Sequence, residues 1–201
     1  MAKYGARRPI FAPIKTEPEG KLPTYDAYSI IGRLIKADVT PTFASGKLYA
    51  DNELAESVDE FVNATCAMET DDITDGVSQK IYGAKVVDGE VHYKTGDTPP
   101  RGGLAHYVTI MRKGGKSYKG FYYPVVQATI GTDNAQTKGD NITFGTSNPS
   151  FTIFPSNTTA WRITKEFKTE AEAITWCNQK LGGTAKPPAD PPSDPPTGGG
   201  S

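Results

Sequence analysis

Residues 36–73 read KADVTPTFASGKLYADNELAESVDEFVNATCAMETDDI, and the rest of the chain is organised around this stretch. The arm that leads into it, Ile30 to Val39, is rich in β-branched and aliphatic side chains and closes at Pro41. The second arm, Glu60 to Thr70, alternates. Val62, Ala64, Cys66 and Met68 fall on one face, and Asn63, Thr65 and Glu69 on the other. A period of two belongs to a half-buried strand, which makes Val62, Cys66 and Met68 expected core residues. Residues 40–59 between the arms far exceed a hairpin turn of about two to five residues, so they are read as a long loop. That loop combines carboxylates (Asp51, Glu53, Glu56, Asp59) with the apolar side chains of Phe43, Leu48, Tyr49 and Leu54. A solvated linker has no use for four such apolar groups. The segment is therefore expected to dock, with another copy of the same chain as its partner.

The composition narrows the class. The 201 residues suffice for one sizeable core. The 21 glycines and 16 prolines, set against few helical runs, point to a mainly β chain. A net charge of −1 with mixed signs lacks the basic surplus that binding to duplex phosphates requires. No apolar run approaches the roughly eighteen residues that cross a membrane, and Arg7-Arg8-Pro9 leads into no sustained apolar segment of the signal-peptide kind. The two cysteines, Cys66 and Cys177, read as buried free thiols, and the cytoplasm is the expected site of synthesis.

Residues 1–24 contain Pro9, Pro13, Pro18 and Pro23 and are expected to form an extended arm rather than a helix or a central strand. Ile10, Phe11 and Ile14 are its apolar anchors, and the segment reads either as a floppy terminus or as an arm that lies across a neighbouring subunit. The main domain is expected over residues 25–183. In it, Thr74 is the expected N-cap of a short middle helix that Gly83 ends. Asp88-Gly89 marks a tight hairpin, and Gly114-Gly115 the tip of a longer one. Strands are expected over residues 142–146, 150–154 and 161–167. Thr169 with Glu172 spells a capping box, and Ile174, Cys177 and Leu181 form the inner stripe of a terminal helix that packs outside the sheets. Residues 184–201, with PPADPPSDPP followed by TGGGS, read as an extended, Pro/Gly-rich disordered tail that joins no core.

Sequence motifs for chemistry are missing. There is no Gly-x-Ser-x-Gly elbow, no His-Glu-x-x-His, no Gly-Lys-Ser/Thr phosphate loop and no Cys-x-x-Cys pair, and the only imidazoles are His92 and His106. No catalytic residue, metal ligand or cofactor site is expected.

The segments YGARRPIFAPI, KADVTP, LYADNELAES, AMETDDIT, YKGFYYPVV, TKGDNITF and TEAEAITW, taken together over residues 1–183, resemble a siphophage major tail protein. This is the tail tube protein of long, non-contractile phage tails. The resemblance implies a β-sandwich or small barrel of two packed sheets with a flanking C-terminal helix. It also implies self-assembly into stacked hexameric rings that form the conduit for DNA delivery. In that reading residues 40–59 reach between rings. The partners are other copies of the chain, the tape measure protein and the tail terminator and tip proteins. DNA passes in transit without specific binding, and the mature location is the virion. Two other classes stand beside it: another head–tail or decoration protein of similar fold, and a carbohydrate-binding β-sandwich using Tyr122, Tyr123 or Trp161.

Overall fold

The computed structural model describes residues 2–50, 53–112, 115–133 and 146–183. The side chains at 2–3, 47–50, 53–57 and 131–133 lie outside that description, as do residues 134–145, which hold all but the last residue of the expected strand at 142–146, and the tail from 184. The chain is mainly β. Its elements are β1 (Ala2–Thr16), β2 (Thr24–Tyr25), β3 (Ser29–Ile30), β4 (Leu34–Ala50), β5 (Glu53–Thr70), α1 (Asp75–Tyr82), β6 (Lys85–Val87) and β7 (Glu90–His92). They continue with β8 (Arg101–Arg112), β9 (Gly115–Asp133), β10 (Ser147–Phe154), β11 (Ile163–Phe167) and α2 (Glu170–Lys180).

Nine of these strands form one antiparallel sheet among the described residues, in the order β2-β1-β8-β9-β10-β5-β4, with β3 added to β1 and β11 added to β9. The second sheet is only the β6–β7 hairpin, turned by Asp88 and Gly89, both at positive φ. The layers expected of a sandwich are thus parts of one continuous sheet. It bends until β1 and β4, far apart in strand order, touch. Inside the bend, Phe11, Ile31, Cys66, Met68, Leu104, Tyr123, Val126, Phe151 and Ile153 pack with Ile81 and Tyr82 of α1. On the other face of β1, β8 and β9, Ile10, Ala105, Tyr107 and Tyr122 pack against Ala173, Cys177 and Leu181 of α2. Both faces of β8 are therefore covered, and the strand is buried from Gly102 to Tyr107 without alternation.

Several expectations are corrected. Residues 1–24 are not a separate arm: β1 pairs along β8 next to the edge of the sheet, flanked on its outer side only by the two-residue strands β2 and β3, and Ile10 and Phe11 are fully buried within their own subunit. Ile14 is half-buried against the α2 cluster. Pro9 is accommodated by irregularity, whereas Pro13 pairs in register with Gly102. Pro9 falls within a bulge between the Arg7–Tyr107 and Ile10–Ala105 pairs, beside Arg8 at φ 53°. The prolines still accept, Pro9 O from Ile31 N at 2.8 Å and Pro13 O from Asp26 N at 2.9 Å. Residues 40–59 are not a loop either. β4 and β5 pair from Leu34–Thr70 to Ala50–Glu53 as one long hairpin. Pro41 lies inside β4, which an edge strand tolerates because one side of its backbone needs no ladder bonds.

Val62 is 48% exposed, unlike Ala64, Cys66 and Met68 of its expected face. Thr42 pairs with Asn63 and Phe43 with Phe61, leaving Val62 as the extra residue of a bulge where the inward phase passes to Phe61. In α2 the buried stripe is Ala173, Cys177 and Leu181, with Asn178, and Ile174 is only half-buried at its flank. The capping box is present as expected: Glu172 N donates to Thr169 Oγ1 at 3.3 Å, and Thr169 N donates to Glu172 Oε2 at 3.2 Å. That pairing holds the Glu172 carboxyl below its ordinary range. Thr74 is the N-cap of α1 by position, but its side chain makes no capping bond, and Gly83 closes the helix at φ 73°.

Candidate interaction surface

Strand pairing leaves β5 with two kinds of neighbour. From Ala64 to Thr70 it lies between β4 and β10, whereas from Glu53 to Asn63 its only described partner is β4. Beyond the Thr42–Asn63 pair the hairpin is thus a two-stranded ribbon that leaves the sheet. Eight further residues of β4, at about 3.3 Å each, carry it roughly 25 Å outward. An isolated two-stranded ribbon is marginal in water, and its open edges offer unpaired backbone N–H and C=O groups.

The root of the ribbon is fixed by aromatic packing. The Phe61 ring stacks on Trp161 at 4.6 Å with an interplanar angle of 10°, and Phe43 meets Phe61 edge-on at 6.0 Å. The Arg162 guanidinium sits 4.6 Å from the centre of the Trp161 ring. Phe61 and Trp161 join the inner cluster, while Phe43, Val58 and Val62 remain about half exposed. Large apolar groups on a projecting two-stranded element are surface that a partner can bury. Of the residues expected to contact another subunit, Phe43 lies on this surface. Leu48, Tyr49 and Leu54 lie in the paired ribbon, with side chains outside the described residues. Ile10 and Phe11 belong to the core instead. Sequence reasoning misses the bulge at Val62 and the stack on Trp161. Their only trace in the sequence is the break in alternation at Phe61-Val62.

Other sites of possible chemistry are occupied by structural work. A cleft of about 620 Å³ runs between β1, the turn before β4 and the entry to α1. Four of its charged side chains pair with one another. Glu170 accepts from Tyr107 Oη at 2.6 Å and pairs with Arg7 at 3.5 Å. Asp71 accepts from Arg33 N at 2.7 Å and lies 3.8 Å from its guanidinium. Neither histidine lines this cleft. His106 is buried between Phe121 and Tyr123, at 5.1 and 5.9 Å, and burial pushes its imidazole down to about 4. His92 is exposed beside Glu90. Both cysteines are buried and free, and burial pushes each thiol up to about 12, so neither is an active nucleophile at neutral pH. Tyr122 and Tyr123 are each 1% exposed and offer no platform to a sugar. Among the described residues no cluster of His, Cys, Asp and Glu could hold a metal ion, and no helix is long and apolar enough to cross a membrane. No protein-family model matches the chain, and no curated protein matches it.

Proposed function

We propose that this chain is a structural virion protein: the tail tube subunit of a long, non-contractile phage tail, with a tail-tube β-sandwich fold. Copies assemble into hexameric rings, and the rings stack into a hollow tube through which DNA passes in transit. The observation that carries this reading is the β4–β5 ribbon. A two-stranded element about 25 Å beyond its sheet, with open edges and apolar residues at its root, suits a subunit that is completed by its neighbours. Closed rings would pair or cover such edges, and stacking would bury the ribbon. The near-neutral charge supports the same role, because a conduit must let nucleic acid slide without gripping its phosphates.

On this reading the function is structural rather than catalytic and needs no cofactor. The subunit is made in the host bacterial cytoplasm and ends in the virion. The partners beyond other copies are the tape measure protein inside the tube and the terminator and tip proteins at its ends. Negative-stain microscopy of concentrated pure protein tests the proposal: tubes with a regular axial repeat are expected. Monomers or isolated rings at every concentration would instead favour a head–tail or decoration protein.

A further inference from the structure

We propose that the β4–β5 ribbon of one copy seats on the end of the β8–β9 hairpin of a neighbouring copy, with Glu60 of the ribbon against Lys116 of the hairpin. The contact rests on the ribbon-mediated assembly proposed above and names the surface that receives the ribbon. Each side joins exposed apolar groups to charge of one sign. On the ribbon, Ala44 pairs with Glu60 and Gly46 with Val58, so alternation puts Val58 and Glu60 on one face. Val58 is 55% exposed, and the small residues opposite, Ala44 and Gly46, leave that face open to a partner. At the hairpin end Met111 pairs with Lys116 and with Ala2, and Tyr4 lies two residues further along β1. Tyr4 and Met111 are about half exposed, and Lys116 is exposed beside them.

Charge selects a second copy as the occupant. Residues 43–62 carry Asp51, Glu53, Glu56, Asp59 and Glu60 against the single cation Lys47. Residues 109–119 carry Arg112, Lys113, Lys116 and Lys119 and no acid. Among the described residues one carboxylate pairs with this cluster: Glu166 lies 2.7 Å from Arg112 and 4.0 Å from Lys119. Neither Lys116 nor Glu60 forms an ion pair among the described residues. After Glu166 is counted, the hairpin end still keeps a cationic surplus and the ribbon an anionic one. Opposed charges of this kind fix which patch meets which. Two different patches on one chain make a heterologous contact, which closes into a ring or continues as a filament. An exposed ion pair adds little by itself, so Val58, Tyr4 and Met111 supply the buried apolar area and repetition along the assembly strengthens it.

Zero-length carbodiimide cross-linking of isotopically light and heavy full chains, mixed while dilute and then concentrated, tests this directly. Links between Glu60 and Lys116 that join a light chain to a heavy one are expected by mass spectrometry. Their absence from a sample that yields the Lys119–Glu166 link, a 4.0 Å pair in the structure, overturns the proposal. Tubes in that same sample would leave the assembly reading standing without this contact, whereas light–heavy links without tubes would keep the contact and remove the tube. Charge reversal provides the second measurement. Glu60→Lys and Lys116→Glu, each β-rich by circular dichroism, should each sediment as smaller species than the unaltered chain. An equimolar mixture of the two should regain the larger species, because the reversed ribbon of one variant meets the reversed hairpin of the other. Unchanged sedimentation of either variant, or a mixture no larger than its parts, overturns the proposal. So does a Lys116→Glu protein that assembles normally but no longer binds heparin, which would make the hairpin end a polyanion site instead.

Discussion

His106 places a titratable group where water does not reach. Its ring stacks with Phe121 and Tyr123, and burial lowers its imidazole to about 4, whereas the unfolded chain takes up that proton near 6.5. Between those values the unfolded state binds more protons, so stability falls as pH drops from about 6.5 to about 4 and then levels off. The loss from this residue is on the order of 3 kcal/mol. Urea midpoints measured across that window should show the slope, and His106→Gln should flatten it; an identical slope in the variant refutes the assignment. Burial also ranks two residues of α2. Leu181 is fully buried and Ile174 only half so. Leu181→Ala should cost about 2–5 kcal/mol, with a smaller cost, below about 2 kcal/mol, for Ile174→Ala. A reversed order of denaturant midpoints would mean that α2 presents a different face to the sheet.

At the scale of the element, the β4–β5 hairpin has two halves with different duties. Ala64, Cys66 and Met68 belong to the core, whereas the ribbon beyond the bulge is held at its root by the Phe43, Phe61 and Trp161 rings. Thr42 and Asn63 already face each other, so an Asn-Gly turn joining them in place of residues 43–62 completes a short hairpin. That variant loses one stacked and one edge-on aromatic pair, each worth about 0.5–1.5 kcal/mol, and should remain folded. Circular dichroism should stay β-rich while sedimentation shows only small species, since the surface proposed to bridge subunits is gone. Normal tubes from the shortened protein would place the contact between rings elsewhere. The α2 capping box is the opposite kind of element, specified by its own residues and independent of any neighbour.

At the scale of the whole molecule, β1, β8 and β9 are shared by two clusters, one inside the bend and one under α2. A wall common to both couples them, so the molecule should unfold as one cooperative unit. Each cluster contains one thiol, Cys66 inside the bend and Cys177 beneath α2. Both should resist maleimide in the native protein and become reactive along the same urea transition. Reaction of Cys177 well before Cys66 would show α2 detaching first, and the two clusters would then be separate units.

Features written in short-range chemistry are legible in the sequence alone. The Thr169–Glu172 capping box, the Asp88-Gly89 turn, Gly83 at the end of α1 and the buried faces of Cys66, Met68, Cys177 and Leu181 each depend on residues within a few positions of one another. Residue choice by itself settles such local energetics. The fate of β1 and of the long hairpin is decided otherwise. Prolines at 9 and 13 argue against a central strand, and a polar stretch at 40–59 argues against a continuous hairpin. Both arguments fail because the partner strand decides. β8 accepts β1 through a bulge at Pro9 and in register at Pro13, and β4 and β5 satisfy each other's backbone whatever their side chains are. The outward turn of Val62 has the same origin. One extra residue opposite Thr42 and Phe43 resets the alternation, and only the register between two strands records it.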